Sequence, residues 1–132
     1  MNPEQLLYAK SHEWVHVEEA GVKQVATVGI SAFAVEALTD LVFIELPRTG
    51  RPVTPQESFC EIESVKAVSD IYAPVAGEVV QVNDKLADHL ELFSDDPYGE
   101  GWICKIEITD PAGLKALMDY EAYQKMCAEE AQ

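Results

Sequence analysis

The chain has 132 residues, of which 48% are hydrophobic, enough for one buried core and too apolar for a disordered segment. Its 24 acidic residues outnumber 9 Lys and Arg, and the formal net charge of −15 makes nucleic acid and anionic membrane poor partners and basic protein surfaces good ones. Cys60, Cys104 and Cys127 lack the number and spacing of a disulfide framework or a zinc site, no apolar run approaches the roughly 18 residues of a bilayer span, and nothing near Met1 resembles a secretory leader, so a soluble protein of a reducing compartment is expected.

Met1 to Gln5 is polar and expected to fray. Leu6–Tyr8 and Trp14–Val17 read as short paired strands, Ala20-Gly21 supplies a turn, and Lys23–Ile30 resumes an extended, β-branched pattern. Ser31 is an N-cap candidate for a two-turn helix over Ala32–Leu38. Leu41–Leu46 is a strand closed by Pro47, and Thr49–Pro52 turns the chain. An extended segment then starts at Val53 and reaches Glu63, Val68–Tyr72 returns, and Ala73–Gly77 bends ahead of a strand over Glu78–Val82. Asn83–Tyr98 is irregular and acidic, with a turn at Ser94–Pro97, before the last strand at Trp102–Ile108.

Asp110-Pro111 combines a cap with a first-turn proline, and Leu114, Leu117, Met118, Tyr120, Tyr123 and Met126 recur at helical spacing. One helix or two short ones are expected there, with Ala128–Gln132 as a fraying end. The chain is expected to form a single domain over 1–132, with a β-rich body over about 6–110 and a helical region over about 111–128. Short strands separated by frequent turns point to a mainly β sandwich or small barrel.

Lys66 stands at the apex between two strand candidates, flanked by Val65 and Ala67, with Glu61, Glu63 and Asp70 nearby. A primary amine displayed on a rigid hairpin is accessible to an acylating enzyme, which would remove its charge and add a new group. Ser11-His12-Glu13 places three catalytic residue types side by side, but neighbours on an extended chain point to alternate faces and cannot form a relay, so a local structural role is expected for His12. Glu57, Glu61, Glu63 and Asp70 lack calcium-loop spacing and suit recognition of cationic partners. Trp14, Phe43, Tyr72, Tyr98 and Trp102 are assigned to packing, and no catalytic or metal-ligating set is found.

The run Glu63-Ser64-Val65-Lys66-Ala67, continued through Asp70 and Pro74 to Val79, resembles the lipoylation segment of the H-protein family of the glycine cleavage system. The resemblance takes in Ser11–Val15, Val28–Ile30, Val42–Pro47 and Asp96–Trp102, in the family's order from about Leu6 to Met126. It implies a lipoyl-domain-like barrel-sandwich hybrid of small antiparallel sheets, with a short internal helix and C-terminal helix or helices. It also implies lipoate in amide linkage on Lys66, within the motif formed with Glu63, Ser64, Val65 and Ala67.

The implied role is a non-catalytic carrier that takes an aminomethyl group from glycine decarboxylase (P protein) to aminomethyltransferase (T protein) and is reoxidised by dihydrolipoamide dehydrogenase (L protein). A lipoate-attaching enzyme completes the partners, and a monomer in the bacterial cytoplasm, or in the mitochondrial matrix if eukaryotic, is expected. Glu13 and Asp70 are expected to pair with the cationic amine of the loaded arm, and Ser11 to add a hydrogen bond. An H-like lipoate relay or scaffold without glycine turnover is the alternative. A biotinyl carrier is disfavoured because Val65 and Ala67 stand where biotinyl domains carry methionines. Thr39 stands where the family commonly has glycine, and Cys60 and Cys104 where it usually lacks thiols.

Overall fold

The computed structural model describes residues 1–130. Its strands are β1 (Leu7–Tyr8), β2 (Glu13–Ala20), β3 (Lys23–Ile30), β4 (Leu41–Glu45), β5 (Pro52–Val53), β6 (Ser58–Ser64), β7 (Val68–Tyr72), β8 (Ala76–Val82) and β9 (Cys104–Asp110). The helices are α1 (Ala32–Leu38), α2 (Leu92–Asp95) and α3 (Tyr120–Glu130). The strands form two antiparallel sheets, one of six strands in the order β1-β2-β3-β9-β8-β5 and one of three in the order β4-β6-β7. The mainly β architecture expected from the sequence is therefore present.

One apolar cluster joins the sheets, drawing Val15, Val28, Val79 and Ile106 from the large sheet and Ile44, Ile62 and Ile71 from the small one. The period-2 alternation of a half-buried strand produces this: in β7, Ile71 is buried while Val68 and Asp70 are exposed. A second cluster of Leu6, Tyr8, Trp14, Tyr123 and Cys127 seats α3. Tyr8 and Tyr123 stack there at 4.3 Å between ring centres. The chain closes on itself where Tyr8 and Met118 exchange backbone hydrogen bonds of 2.8 and 2.7 Å. In the β2–β3 hairpin, Trp14 lies opposite Gly29, and the bare glycine is what lets the indole cover the strand.

Several expectations need correction. Pro52–Val53 is a separate two-residue strand that pairs with β8, not the start of β6, because Thr54–Glu57 turn the chain toward the other sheet. Asn83–Tyr98 is not wholly irregular, for it holds a 3-10 turn at Asp84–Ala87 and the short α2. Met1–Gln5 contains a 3-10 turn at Pro3–Gln5, capped by the Asn2 side chain, which accepts from the Glu4 N–H at 3.0 Å. Ser31 caps α1 by accepting from the Ala34 N–H at 3.2 Å. Asp110 caps a 3-10 helix at Pro111–Ala116, which precedes α3. Ala128–Glu130 continue α3, and Ala131 and Gln132 lie outside the described residues. Thr39 ends α1 with φ of 64°, a left-handed position that glycine would occupy without strain. No helix among the described residues is long and apolar enough to cross a membrane.

Candidate functional site

Lys66 lies in the loop joining β6 to β7, and Ser64 organises that loop. The Ser64 N–H donates to the Ala67 carbonyl at 2.8 Å, while its buried hydroxyl oxygen accepts from the N–H groups of Lys66 (3.3 Å) and Ala67 (3.2 Å). A serine hydroxyl that satisfies two successive amides mimics a backbone turn and fixes the loop. The Val65 N–H donates to the Asp40 carbonyl at 2.9 Å, bracing the tip from the α1–β4 connection. The Lys66 side chain is left exposed, with no ion pair among the described residues. The backbone is held and the amine is free.

The far end of β7 borders a cleft of about 440 Å³. One wall is Ala9–Ser11 with Glu13, a second is Pro55-Gln56, a third is Tyr72–Pro74, and the returning chain closes it with Gly113, Ala116 and Leu117. Glu13 is fully buried, accepts hydrogen bonds from the Ser11 hydroxyl and, at 3.3 Å, from the Tyr72 N–H. Burial pushes its pKa above the ordinary carboxylate value; the bonds from Ser11 and Tyr72 pull the other way without reversing the shift. Such a carboxyl is poised to gain from a cation entering the cleft, whose charge would offset its desolvation.

His12 turns away from this pair. It adopts φ of 78°, its Nδ1 lies 2.7 Å from the Tyr123 hydroxyl, its Nε2 lies 2.8 Å from Glu130, and its ring stacks on Phe33 at 5.0 Å. Ser11 and Glu13 are thus brought together while His12 serves packing. This agrees with the expectation that the three do not form a relay.

Asp70 is not among the cleft residues. It lies on the outer face of β7, which Val68, Asp70 and Tyr72 share by their period of 2, and it accepts from the Ser58 hydroxyl at 3.1 Å. From Val68, two residues beyond Lys66, that face leads to Tyr72 at the cleft wall over roughly 14 Å, four steps of an extended strand. Glu63 and Val65 stand beside Lys66, and Val65 is exposed. Sequence reasoning missed the Tyr72 N–H, the Pro55 wall and the Gly113–Leu117 wall, since nothing local in those segments marks them as neighbours of Glu13. It also assigned Phe43 to packing, whereas half of that side chain is exposed. Glu57 is held below the ordinary carboxylate range, first by the Arg51 guanidinium at 2.8 Å, and so serves an internal ion pair. Cys60 is buried and pushed up to about 12, and burial raises Cys104 as well, so neither thiol is poised to ionise.

Residues 6–130 match the family described as Glycine cleavage H-protein. The chain belongs to that family. It is 53% identical to the glycine cleavage system H protein of Rhodopirellula baltica over 97% of this chain and 96% of that one. It is 50% identical to the glycine cleavage system H protein of Thermotoga maritima over 93% and 96% respectively. The crystal structure of a glycine cleavage system H protein from Mycobacterium marinum superposes with a TM-score of 0.83 at 34% identity, covering 99% of this chain and all of that one. Family membership accounts for the extent of the motif: the likeness spans the cleft walls as well as the Lys66 hairpin.

Proposed function

We propose that the chain is the lipoyl carrier of a glycine cleavage system, with lipoate in amide linkage on Lys66. The observation that carries this is the pairing of a free lysine on a Ser64-braced tip with a cleft holding a buried carboxyl at the other end of the same strand. In an H-protein-family chain, those are the tether and resting place that a carrier needs. The attached group would supply a dithiolane able to take up an aminomethyl group derived from glycine and to be reoxidised after its release.

The chain's own residues bind and shield. Lys66 anchors the arm, the outer face of β7 guides it past Asp70, and the cleft receives its end. There Glu13 faces the cationic amine and Ser11 holds the carboxylate in orientation, keeping water from the labile carbon. Bond making and breaking belong to the partners: glycine decarboxylase, aminomethyltransferase and dihydrolipoamide dehydrogenase, with a lipoate-attaching enzyme acting first.

Intact-mass measurement with peptide mapping tests the attachment. Protein from its natural source should carry a lipoyl adduct on Lys66, and Lys66→Arg should carry none. A biotinyl adduct, or a lipoyl adduct at another residue, would sink the assignment. A glycine-dependent assay with the P, T and L proteins tests the role, since a lipoate relay would support no glycine turnover.

A further inference from the structure

Seven large hydrophobic side chains are conspicuously exposed among the described residues, and four of them, Val42, Phe43, Val65 and Val68, gather around Lys66. Exposed apolar residues scattered singly are ordinary, whereas a contiguous group beside one reactive side chain marks a contact surface. The arrangement is built by the small sheet. Phe43, Glu63 and Val68 stand in register across β4, β6 and β7, and the irregularity between Leu41 and Phe43 turns Val42 outward as well. One row further from the tip, Glu45, Glu61 and Asp70 are directly opposite one another on the same face. No Lys or Arg pairs with any of these three among the described residues, although like charges in register repel.

We propose that this face, an apolar patch bordered by an acidic row, is the docking surface for the enzyme that acylates Lys66, and that its partner surface carries an apolar contact for Phe43 and Val42 and a row of Lys or Arg for Glu45 and Glu61. The inference rests on the reading of Lys66 as the lipoylated residue. Among the partners, the attaching enzyme must bring its reacting carbon to Nζ itself, where a C–N bond forms, the bond from the acyl carbon to its activating phosphate or thiol breaks, and Nζ gives up a proton. It therefore has to cover the residues flanking the lysine, while enzymes that act on the arm's end work at a distance. It is also the partner that meets the face bare, before any arm lies along β7. Arg51 lines the same depression as Glu45 and Glu61 but is paired with Glu57, so the acidic row still offers charge complementarity to a basic surface, and the apolar patch supplies the desolvated centre that such contacts need.

The test uses the full chain without its modification, a lipoate–protein ligase with lipoate and ATP, and intact mass as readout. Val42→Thr/Phe43→Thr and Glu45→Gln/Glu61→Gln should each lower kcat/KM for acylation by about tenfold. The wild-type rate should fall with salt, and Glu45→Gln/Glu61→Gln should flatten that dependence. Both variants, driven to complete lipoylation with excess ligase, should be reoxidised by dihydrolipoamide dehydrogenase at the wild-type rate. The glutamine variant relieves repulsion rather than creating strain, so it remains informative should the threonine variant fail to fold. Wild-type acylation rates in the glutamine variant would overturn the proposal. An equal loss in reoxidation, or a wild-type dimer that the variants convert to monomer, would overturn it too, assigning the face to another enzyme or to a second copy. Failure of the underlying reading is separately visible, as a wild-type chain that the ligase does not modify or a Lys66→Arg variant that it does.

Discussion

The Tyr123 hydroxyl bonds His12 Nδ1 at 2.7 Å, and the same oxygen bonds the buried Ser31 hydroxyl. A single oxygen on α3 thereby ties the segment that carries Ser11 and Glu13 to the cap of α1. Tyr123→Phe keeps the stacked ring but leaves two largely buried polar groups without this partner, and should cost about 1–3 kcal/mol. Urea unfolding would show it, and hydrogen exchange in α3 should rise first.

Glu13→Gln should change how stability depends on pH. The folded-state pKa of Glu13 lies above its unfolded value because of burial, so the native state holds the proton more tightly than the unfolded chain. The stabilisation from the protonated form is complete below the ordinary carboxylate value and is lost as pH rises through the raised one. The difference in unfolding free energy, variant minus wild type, should therefore climb across that window and then level off. The same variant should shorten the lifetime of the loaded carrier, since it removes the charge facing the amine. An unchanged lifetime would exclude the proposed role of Glu13.

Ser64→Ala removes the oxygen that accepts from the Lys66 and Ala67 N–H groups. The expected loss is about 1 kcal/mol, by thermal unfolding. Amide exchange at Lys66 and Ala67 should speed up, and acylation of Lys66 should slow because the tip no longer holds one geometry.

Gly29→Ala would place a Cβ 2.5 Å from Trp14 Cε2 and 2.6 Å from Cζ2. Trp14 is fully buried, and its Nε1 donates to the Pro97 carbonyl at 2.9 Å, so the ring cannot move without losing that bond. Overpacking of this kind costs about 1–3 kcal/mol, and Trp14 fluorescence should report the displacement.

What the sequence revealed follows from the range of the interactions involved. The return strand β7, the Ser31 cap and the Lys66 tip depend on residues within a few positions of one another, and all were readable. Charge and position within the family-like segments suggested Glu13, Ser11 and Asp70 as a set, but not that Asp70 shares a face with Tyr72 while Glu13 receives the Tyr72 N–H, a contact spanning 59 positions. Pro52–Val53 was misread because a continuous extended pattern gives no sign that the chain changes sheets at Thr54. Phe43 was assigned to packing because an aromatic in a strand defaults there, whereas its alternation with buried Ile44 and its place opposite Glu63 put it on the outer face.

The Lys66 hairpin and its brace from Asp40 lie within the contiguous stretch 40–72, whereas the cleft needs segments near 9–13, 55–56, 72–74 and 113–117 to meet. Closing such long loops costs chain entropy before any contact repays it, so order at the tip should precede order at the cleft during refolding. Amide protection at Ala67 should then appear before protection at the Tyr8–Met118 bridge. A chain can present its lysine before it can shelter a cargo, and the presence of the modification would by itself say little about whether the protein had finished folding.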